Sequence, residues 1–376
     1  MQTINITGYG SKGEGVARLD DGRVVFVRGA ARGDICRVAV TSESPRSCRA
    51  EICEIIEPSP YRIEPDCTAY PMCGGCDFRH IVYEEELRAK LWRVNDALRR
   101  IGSTEVCADE IISTGRVNGY RNKAVFHTER RGKESLTGFY RAGTNEICPI
   151  RHCLLLPEVL NDELSQLWSN PTAENPAMYR VGSCAGFGSN VHAPVVIELD
   201  GLVYRISHTS FFQVNNGAAL SLFQKAREYA AMSNTESLVD LYCGVGSLTL
   251  FIGRDAGFSL GVENNLGAVD DALENLQRNN LSRIEILYAD SAVWDSGSIR
   301  PDCIVVDPPR RGLSSGAVRK ILELSPSRIV YISCDPATLA RDIRLLAGYD
   351  VQQVCVIDMF PRTANVECCV RMIRKV

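Results

Sequence analysis

The chain has 376 residues, 45% apolar and 23% charged, the balance of a soluble globular protein long enough for two or three domains. A net charge of −4 excludes a globally basic nucleic-acid binder, so any RNA site must be a local basic patch. No apolar run reaches the roughly 18 residues of a membrane span, and Met1-Gln2-Thr3-Ile4-Asn5 lacks the basic-then-apolar pattern of a secretory signal. A cytoplasmic protein with no membrane partner is expected. There, 16 cysteines read as packing, metal-binding or catalytic groups rather than disulfides.

Residues 1–57 are predicted to form a small β-barrel of the OB type. Glycines at 8, 10, 13, 15, 22, 29 and 33 punctuate short segments such as Val24-Val25-Phe26-Val27. The run Gly8-Tyr9-Gly10-Ser11-Lys12-Gly13-Glu14-Gly15 resembles the opening of a TRAM domain, an RNA-binding module. Lys12, Arg18, Arg23, Arg28, Arg32 and Arg37 can track a phosphate backbone or form a solvated basic face. Glu57-Pro58-Ser59-Pro60 then makes a stiff linker.

A central domain is expected over 58–207. Cys67, Cys73 and Cys76 are spaced Cys-x5-Cys-x2-Cys, and Gly74-Gly75 lets the last two thiols turn back on one metal centre. Zinc and a [4Fe-4S] cluster both accept four thiolates, and the spacing does not separate them. Cys148 and Cys153 are both candidates for the fourth ligand. An amphipathic helix is predicted over 84–101, from Leu87, Leu91, Val94, Leu98 and Ile101, ended by Gly102 and packed on the catalytic domain. Tyr120 beside Arg121 and Lys123, and Phe139-Tyr140-Arg141, are candidate RNA contacts or solvated sheet edges. His80, His127, His152, His192 and His208 are scattered and read as hydrogen-bonded structural histidines.

From 208 to 376 the rhythm becomes strand–helix alternation, the mark of a parallel sheet. Strands are predicted at 237–241, 259–262, 284–288, 303–306, 329–333, 351–357 and 367–373, with helices near 216–231, 247–255, 265–280, 315–324 and 336–347. The first strand leads into Tyr242-Cys243-Gly244-Val245-Gly246-Ser247, where two glycines let a ligand approach the backbone. Glu263, Asp290 and Asp307 follow at the ends of the next three strands, placed to meet ribose hydroxyls and an adenine edge. No GxGxxG triplet follows the first strand, and the pocket edge is acidic. Both favour S-adenosyl-L-methionine, which has no phosphates, over a dinucleotide. Arg310 follows Asp307-Pro308-Pro309, where enzymes that methylate exocyclic amines usually carry Tyr or Phe, which argues against an amine target and leaves room for a carbon one.

Arg328-Ile329-Val330-Tyr331-Ile332-Ser333 is a buried strand that runs out onto Cys334. Asp335 can cap the next helix, and Pro336 suits its first position. A thiol against a helix N-terminus is expected to have a lowered pKa, opposed here by the Asp335 carboxylate. Cys334 is thus either a nucleophile or a half-buried cysteine ending a core strand.

With Phe211-Phe212-Gln213-Val214-Asn215, Asp240–Ser247, Asp307–Arg310, Ser333–Asp342 and Asp358-Met359-Phe360-Pro361-Arg362-Thr363 in one order, the chain resembles the RNA uracil-5-methyltransferase family, in its TRAM-bearing, iron–sulfur branch that modifies 23S ribosomal RNA. The resemblance implies a Rossmann-like class I methyltransferase domain, of α/β class, behind an N-terminal β-barrel and an iron–sulfur-binding domain. It implies Cys334 as nucleophile and Glu367 as general base. It places cofactor contacts on Gln213, Tyr242, Glu263, Asp290 and Asp307, and cluster ligands on Cys67, Cys73, Cys76 and Cys153, with Cys148 no ligand. Ser247 departs from the Asn expected at its position. The implied activity is methylation of a uridine of ribosomal RNA by a monomer. Transfer RNA is the nearest alternative substrate, and a non-catalytic RNA-binding iron–sulfur protein the bland one.

Overall fold

The computed structural model describes residues 1–131, 134–170, 175–182 and 193–375; His192 lies outside the described residues. The chain divides into two units, and neither is one continuous stretch of sequence. The first comprises Met1–Arg93, Val125–Ala177 and Phe360–Asn365, the second Val94–Ala124, Met178–Met359 and Val366–Val376.

The first unit begins with β1 (Gln2–Asn5), β2 (Gly8–Tyr9), β3 (Gly15–Arg18), β4 (Val24–Val27), β5 (Ile35–Glu43) and β6 (Ser47–Glu57), in the sheet order β1-β5-β6-β4-β3-β2. Ile4, Ala17, Val25, Val27, Val38 and Ala50 share one core, so the sheet curls around it as the alternation of apolar residues requires. Gly15 is needed inside this curl: a Cβ there would meet Ala30 at 2.8 Å. Three of the six cations proposed to track a backbone are ion-paired within the unit, since Arg23 pairs with Asp21 and Glu43, Arg32 with Glu85 and Arg37 with Glu54, and Arg18 and Arg28 donate to the Gly22 and Cys73 carbonyls.

Helix α1 (Tyr83–Arg100) carries Glu84, Glu85 and Glu86 in its first turn and Arg99 and Arg100 in its last, each favourable to the helix dipole. Glu86 and Lys90 form a fully buried ion pair at 2.7 Å. They also hold the distant segment Phe360–Asn365: Glu86 accepts from the Arg362 N–H at 2.7 Å, and Lys90 donates to the Phe360 carbonyl at 3.0 Å. Beyond β7 (Ile111–Ile112), strands β8 (Lys123–Arg131), β9 (Glu134–Tyr140) and β10 (Ile147–Pro149) run antiparallel, with α2 (Glu158–Ser169) after them.

The second unit takes up β11 (Ala177–Arg180), β12 (Val195–Leu199), β13 (Leu202–Ile206) and α3 (Asn216–Ala230) before the alternating series. That series is β14 (Ser237–Leu241), α4 (Ser247–Gly253), β15 (Phe258–Glu263), α5 (Leu266–Arg278), β16 (Ile284–Tyr288), β17 (Cys303–Val306), α6 (Ser315–Leu324), β18 (Arg328–Ser333), α7 (Pro336–Leu345), β19 (Tyr349–Ile357) and β20 (Glu367–Arg374). Every predicted strand and helix of this region is present, with ends shifted by at most two residues. The sheet order is β16-β15-β14-β17-β18-β20-β19-β7, parallel from β16 to β18 and antiparallel where β20 inserts between β18 and β19. An eighth strand was not anticipated: β7 pairs with β19 through only two residues, too few to show a period. Because β15 and β17 flank β14 on opposite sides, the chain reverses its direction of travel there, and a crevice opens at the carboxyl ends of the strands.

Candidate active site

The glycine turn after β14 is built for close approach. Tyr242, Gly244 and Gly246 all take positive φ, at 66°, 55° and 77°. A Cβ on Gly244 would meet nothing within 4 Å, so the crevice is open at that point. Glu263 closes the turn from β15: its carboxylate accepts from the Gly244 N–H at 3.0 Å and from the Asn264 and Asn265 N–H groups at 2.9 and 2.8 Å. Tyr242 reaches across to Ser314, the residue that caps α6, and its phenol is raised by burial and also feels Asp290. Asp290 is exposed beyond β16, where it accepts from the Ala292 N–H at 2.7 Å.

Tyr242, Glu263, Asp290 and Asp307 therefore line one crevice edge. Gln213 is buried in the same unit, where its carbonyl accepts from Asn122 Nδ2 at 3.0 Å; among the described residues no hydrogen bond ties it to the other four. Ser247 opens α4, and its carbonyl accepts from Tyr204 at 3.2 Å. Sequence reasoning overlooked Asp240, whose carboxyl is fully buried at the crevice floor. It accepts from Thr249 at 2.6 Å on one oxygen and has no partner on the other. Burial first, then Asp307 and Glu263, push it up to about 7. Its position before the turn was legible, but its burial was not.

Cys334 lies half-buried one residue beyond β18. Asp335 caps α7 as predicted, accepting from the Thr338 N–H at 2.8 Å, and Pro336 fills the first turn. Glu367, Arg310 and Asp307 all act on the Cys334 thiol. Glu367 is buried at the start of β20 and is pushed well above the carboxylate range by burial and then by Asp307, against the opposing pull of Arg310. Asp307 is likewise pushed up by burial. The expected lowering of the Cys334 pKa is a correction: the thiol is pushed up to about 11. Burial is the largest cause and the Glu367 carboxylate the next, and together they outweigh Arg310 and the backbone amides.

The thiols of the first unit also gather. Cys73 feels Cys148, Cys153 and Cys67, while Cys76 feels Cys153 and Cys73. Arg79, 2% exposed, donates to Cys76 Sγ at 3.3 Å and to Asp66 at 2.6 Å. The Gly75 N–H donates to Cys73 Sγ at 3.4 Å, and Asn161 clasps the Cys153 backbone at 2.8 and 3.2 Å. Cys148 is buried nearby and feels Cys67. Among the described residues no three His, Cys, Asp or Glu side chains converge on a point suited to a single metal ion. His80 is bonded to Tyr70 at 2.5 Å and burial pushes it down to about 4, His127 stacks on Tyr140, and exposed His152 faces Glu158 at 3.3 Å, all away from metal or catalytic roles.

A parallel sheet that reverses at β14, with a glycine turn and strand-end acids around an open crevice, defines a methyltransferase of the Rossmann-like class. The family model described as tRNA (Uracil-5-)-methyltransferase matches residues 189–294 and 292–375, and the TRAM domain model matches residues 1–53. A protein named as an uncharacterized RNA methyltransferase, from Caldanaerobacter subterraneus, is 30% identical, covering 97% of this chain and 96% of its own. Another so named, from Thermosynechococcus vestitus, is 30% identical over 97% of this chain and 96% of its own. The chain belongs to the TRAM-bearing RNA uracil-5-methyltransferase family and is an RNA (uracil-5-)-methyltransferase. The crystal structure of Pyrococcus abyssi tRNA (uracil-54, C5)-methyltransferase in complex with S-adenosyl-L-homocysteine shares the fold, with a TM-score of 0.77 at 22% identity over 99% of this chain and all of that one. Among the described residues no helix is long and apolar enough to cross a membrane.

The raised thiol predicts a pH profile. Alkylation of Cys334 by iodoacetamide, followed by peptide mass spectrometry, should be slow at pH 7 and rise about tenfold per pH unit toward pH 11, because only the thiolate reacts. Glu367→Gln removes the carboxylate that raises the thiol, so its profile should shift to lower pH. A wild-type rate that levels off below pH 8 would contradict the site's electrostatics.

Proposed function

We propose that the protein methylates carbon 5 of a uridine in 23S ribosomal RNA, using S-adenosyl-L-methionine and a covalent bond between Cys334 and the base. The observation that carries this reading is the meeting of Cys334, Glu367, Asp307 and Arg310 at the end of β18. Bound S-adenosyl-L-methionine supplies an electrophilic methyl group, and Gln213, Tyr242, Glu263, Asp290 and Asp307 are the residues that would hold it. Their edge suits a cofactor with a positive sulfonium and no phosphate.

Carbon 5 of uracil is too weak a nucleophile to take a methyl group unaided. The Cys334 thiol gives its proton to solvent and the thiolate adds to carbon 6, which moves the electron pair of the 5,6 double bond onto carbon 5 and the enolate oxygen. After carbon 5 is methylated, Glu367 takes its proton, the double bond re-forms and the carbon 6–sulfur bond breaks, returning Cys334. A carboxylate with a raised pKa is a stronger base for that proton than an ordinary glutamate. The base must leave the RNA stack to reach the thiol. Phe211, 66% exposed beside Gln213, offers a face for stacking a nearby base. Transfer RNA is the second reading, supported by the wording of the matched family model. Mapping 5-methyluridine in both RNAs from cells lacking the gene separates the two.

Cys67, Cys73, Cys76 and Cys153 would hold a [4Fe-4S] cluster. The resemblance of the Cys-x5-Cys-x2-Cys run to the iron–sulfur branch of the family supports a cluster, and Cys73 and Cys76 each lie close enough to Cys153 to act on it. Buried Arg79 and the Gly75 N–H would offset its negative charge. Uracil methylation consumes no electron, so the cluster's role in this reading is structural.

Two outcomes test the assignments. Glu367→Gln should complete addition and methylation but fail to remove the carbon 5 proton, leaving methylated RNA tethered to Cys334 as a slow band in a denaturing gel. Cys334→Ala should give no band while still binding RNA and cofactor. Turnover of Glu367→Gln at the wild-type rate would remove Glu367 from the base role. Protein purified without oxygen should carry about four irons per chain. That iron should be lost in Cys153→Ala and kept in Cys148→Ala; zinc in its place, or the reverse pattern, would overturn the ligand set.

A further inference from the structure

Among the buried and half-buried cations of the described residues, most have a carboxylate. Arg62 pairs with Asp34, Lys90 with Glu86, Arg79 with Asp66 and Arg205 with Asp271. Arg180, Lys123 and Arg121 do not: among the described residues none of the three forms an ion pair, although Arg180 and Arg121 both lie close enough to act on Lys123. The Val181 N–H donates to the Asn122 carbonyl at 2.9 Å, which brings the end of β11 against the Arg121–Lys123 stretch. Arg180 donates Nη2 to the Ser210 carbonyl at 3.0 Å, while its Nε and Nη1 are buried without a partner. Arg121 donates Nε to the Lys123 carbonyl at 3.1 Å. Burial, then Arg180 and Arg121, push Lys123 down to about 8, and burial pushes Arg180 down to about 10 against the opposing pull of Asp271.

Lys123 faces two cations, Arg180 has two unmet guanidinium donors, and Asp271, which acts on Arg180, is already paired with Arg205, so the cluster is costly unless an anion joins it. Asn122, between Arg121 and Lys123, ties the cluster to the stretch that carries Phe211 and Gln213. Its N–H donates to the Val214 carbonyl at 2.8 Å and its Nδ2 to the Gln213 carbonyl at 3.0 Å. We propose that Arg180, Lys123 and Arg121 form a pocket for one phosphodiester group of the RNA, next to the nucleotide being modified. Arg180 presents an unmet guanidinium donor to one phosphate oxygen, and Lys123 adds a second donor. The pocket rests on the reading of RNA as substrate. It adds a fixed point for the backbone, so the flipped base pivots about a held phosphate rather than a free strand.

The test measures the affinity of the full chain for an unmodified 23S ribosomal RNA transcript, and for a transfer RNA transcript, as a function of salt. Each phosphate that the protein no longer neutralises should lower the slope of log affinity against log salt by about 0.7 to 0.9. The double variant Arg180→Met/Lys123→Met should bind about tenfold or more weaker at low salt with a slope lower by that amount. Lys123→Met alone, at a half-buried position, should show part of the same effect, and Lys375→Met, an exposed cation elsewhere, none. Affinity for S-adenosyl-L-methionine should be unchanged. Unchanged RNA affinity and slope in the double variant would overturn the pocket while leaving the methyltransferase reading intact. A drop in cofactor affinity instead would assign the anion to the cofactor's carboxylate and also overturn it. Failure of the wild-type chain to bind either transcript would remove the RNA reading on which the pocket rests.

Discussion

One buried carboxylate holds the catalytic end of the sheet together. Asp342, fully buried on α7, accepts from the Tyr331 hydroxyl at 2.6 Å and from the Leu313 N–H at 2.7 Å, and pairs with Arg341. Tyr331 belongs to β18, Asp342 to the helix after it, and Leu313 to the loop that begins at Asp307. Strand, helix and loop are thus fastened at one point. Gly312, at φ 77°, is obligatory there because any Cβ would strike the Asp342 carboxylate. Two further bonds reinforce the fastening: Thr338 donates to the Arg310 carbonyl at 3.2 Å and Arg341 to the Arg311 carbonyl at 2.8 Å. Arg310 is thereby kept beside Cys334, where it opposes the carboxylates.

The site's charge follows from that geometry. Asp240, Asp307 and Glu367 all titrate above their ordinary range because burial disfavours their charged forms and each lies near another. A crevice of reluctant acids favours a cationic ligand, in keeping with the proposed sulfonium cofactor. The same carboxylates keep the Cys334 thiol protonated. In the proposed mechanism this is protective, since a resting thiolate at an open crevice would be the first group oxidised. Arg310 is the one cation acting against them at the thiol, so it would tune how readily the sulfur adds to the ring.

What could be read from the sequence was local. The strand running to Cys334, the Asp335 cap, the Pro336 start and the glycine turn at 244–246 are each written in a few adjacent residues, and each formed where expected. The predicted curl of residues 1–57 likewise followed from regular glycines and alternation. What escaped was set by distant partners. No local pattern marks Asp342 as a hub, because its partners lie 11 and 29 residues away. The caps from Asn215, Asn265 and Ser314 are the exception, each made to an N–H three residues on and so local, yet not read. The Cys334 thiol was misjudged because a helix terminus is visible in sequence whereas Glu367, 33 residues on, is brought in only by β20 pairing with β18. The cations of the first sheet were read as a surface, but their carboxylate partners come from other strands and from α1.

The central claim is that Cys334 forms a bond to the uracil ring during methylation. RNA carrying 5-fluorouridine tests it directly, since fluorine replaces the proton that Glu367 would remove and the final elimination cannot occur. Incubated with such RNA and S-adenosyl-L-methionine, then digested and analysed by mass spectrometry, the protein should yield a peptide in which Cys334 carries a methylated fluorouridine nucleotide. An adduct on any other cysteine, or no adduct from an enzyme that methylates the unfluorinated RNA normally, would contradict the account.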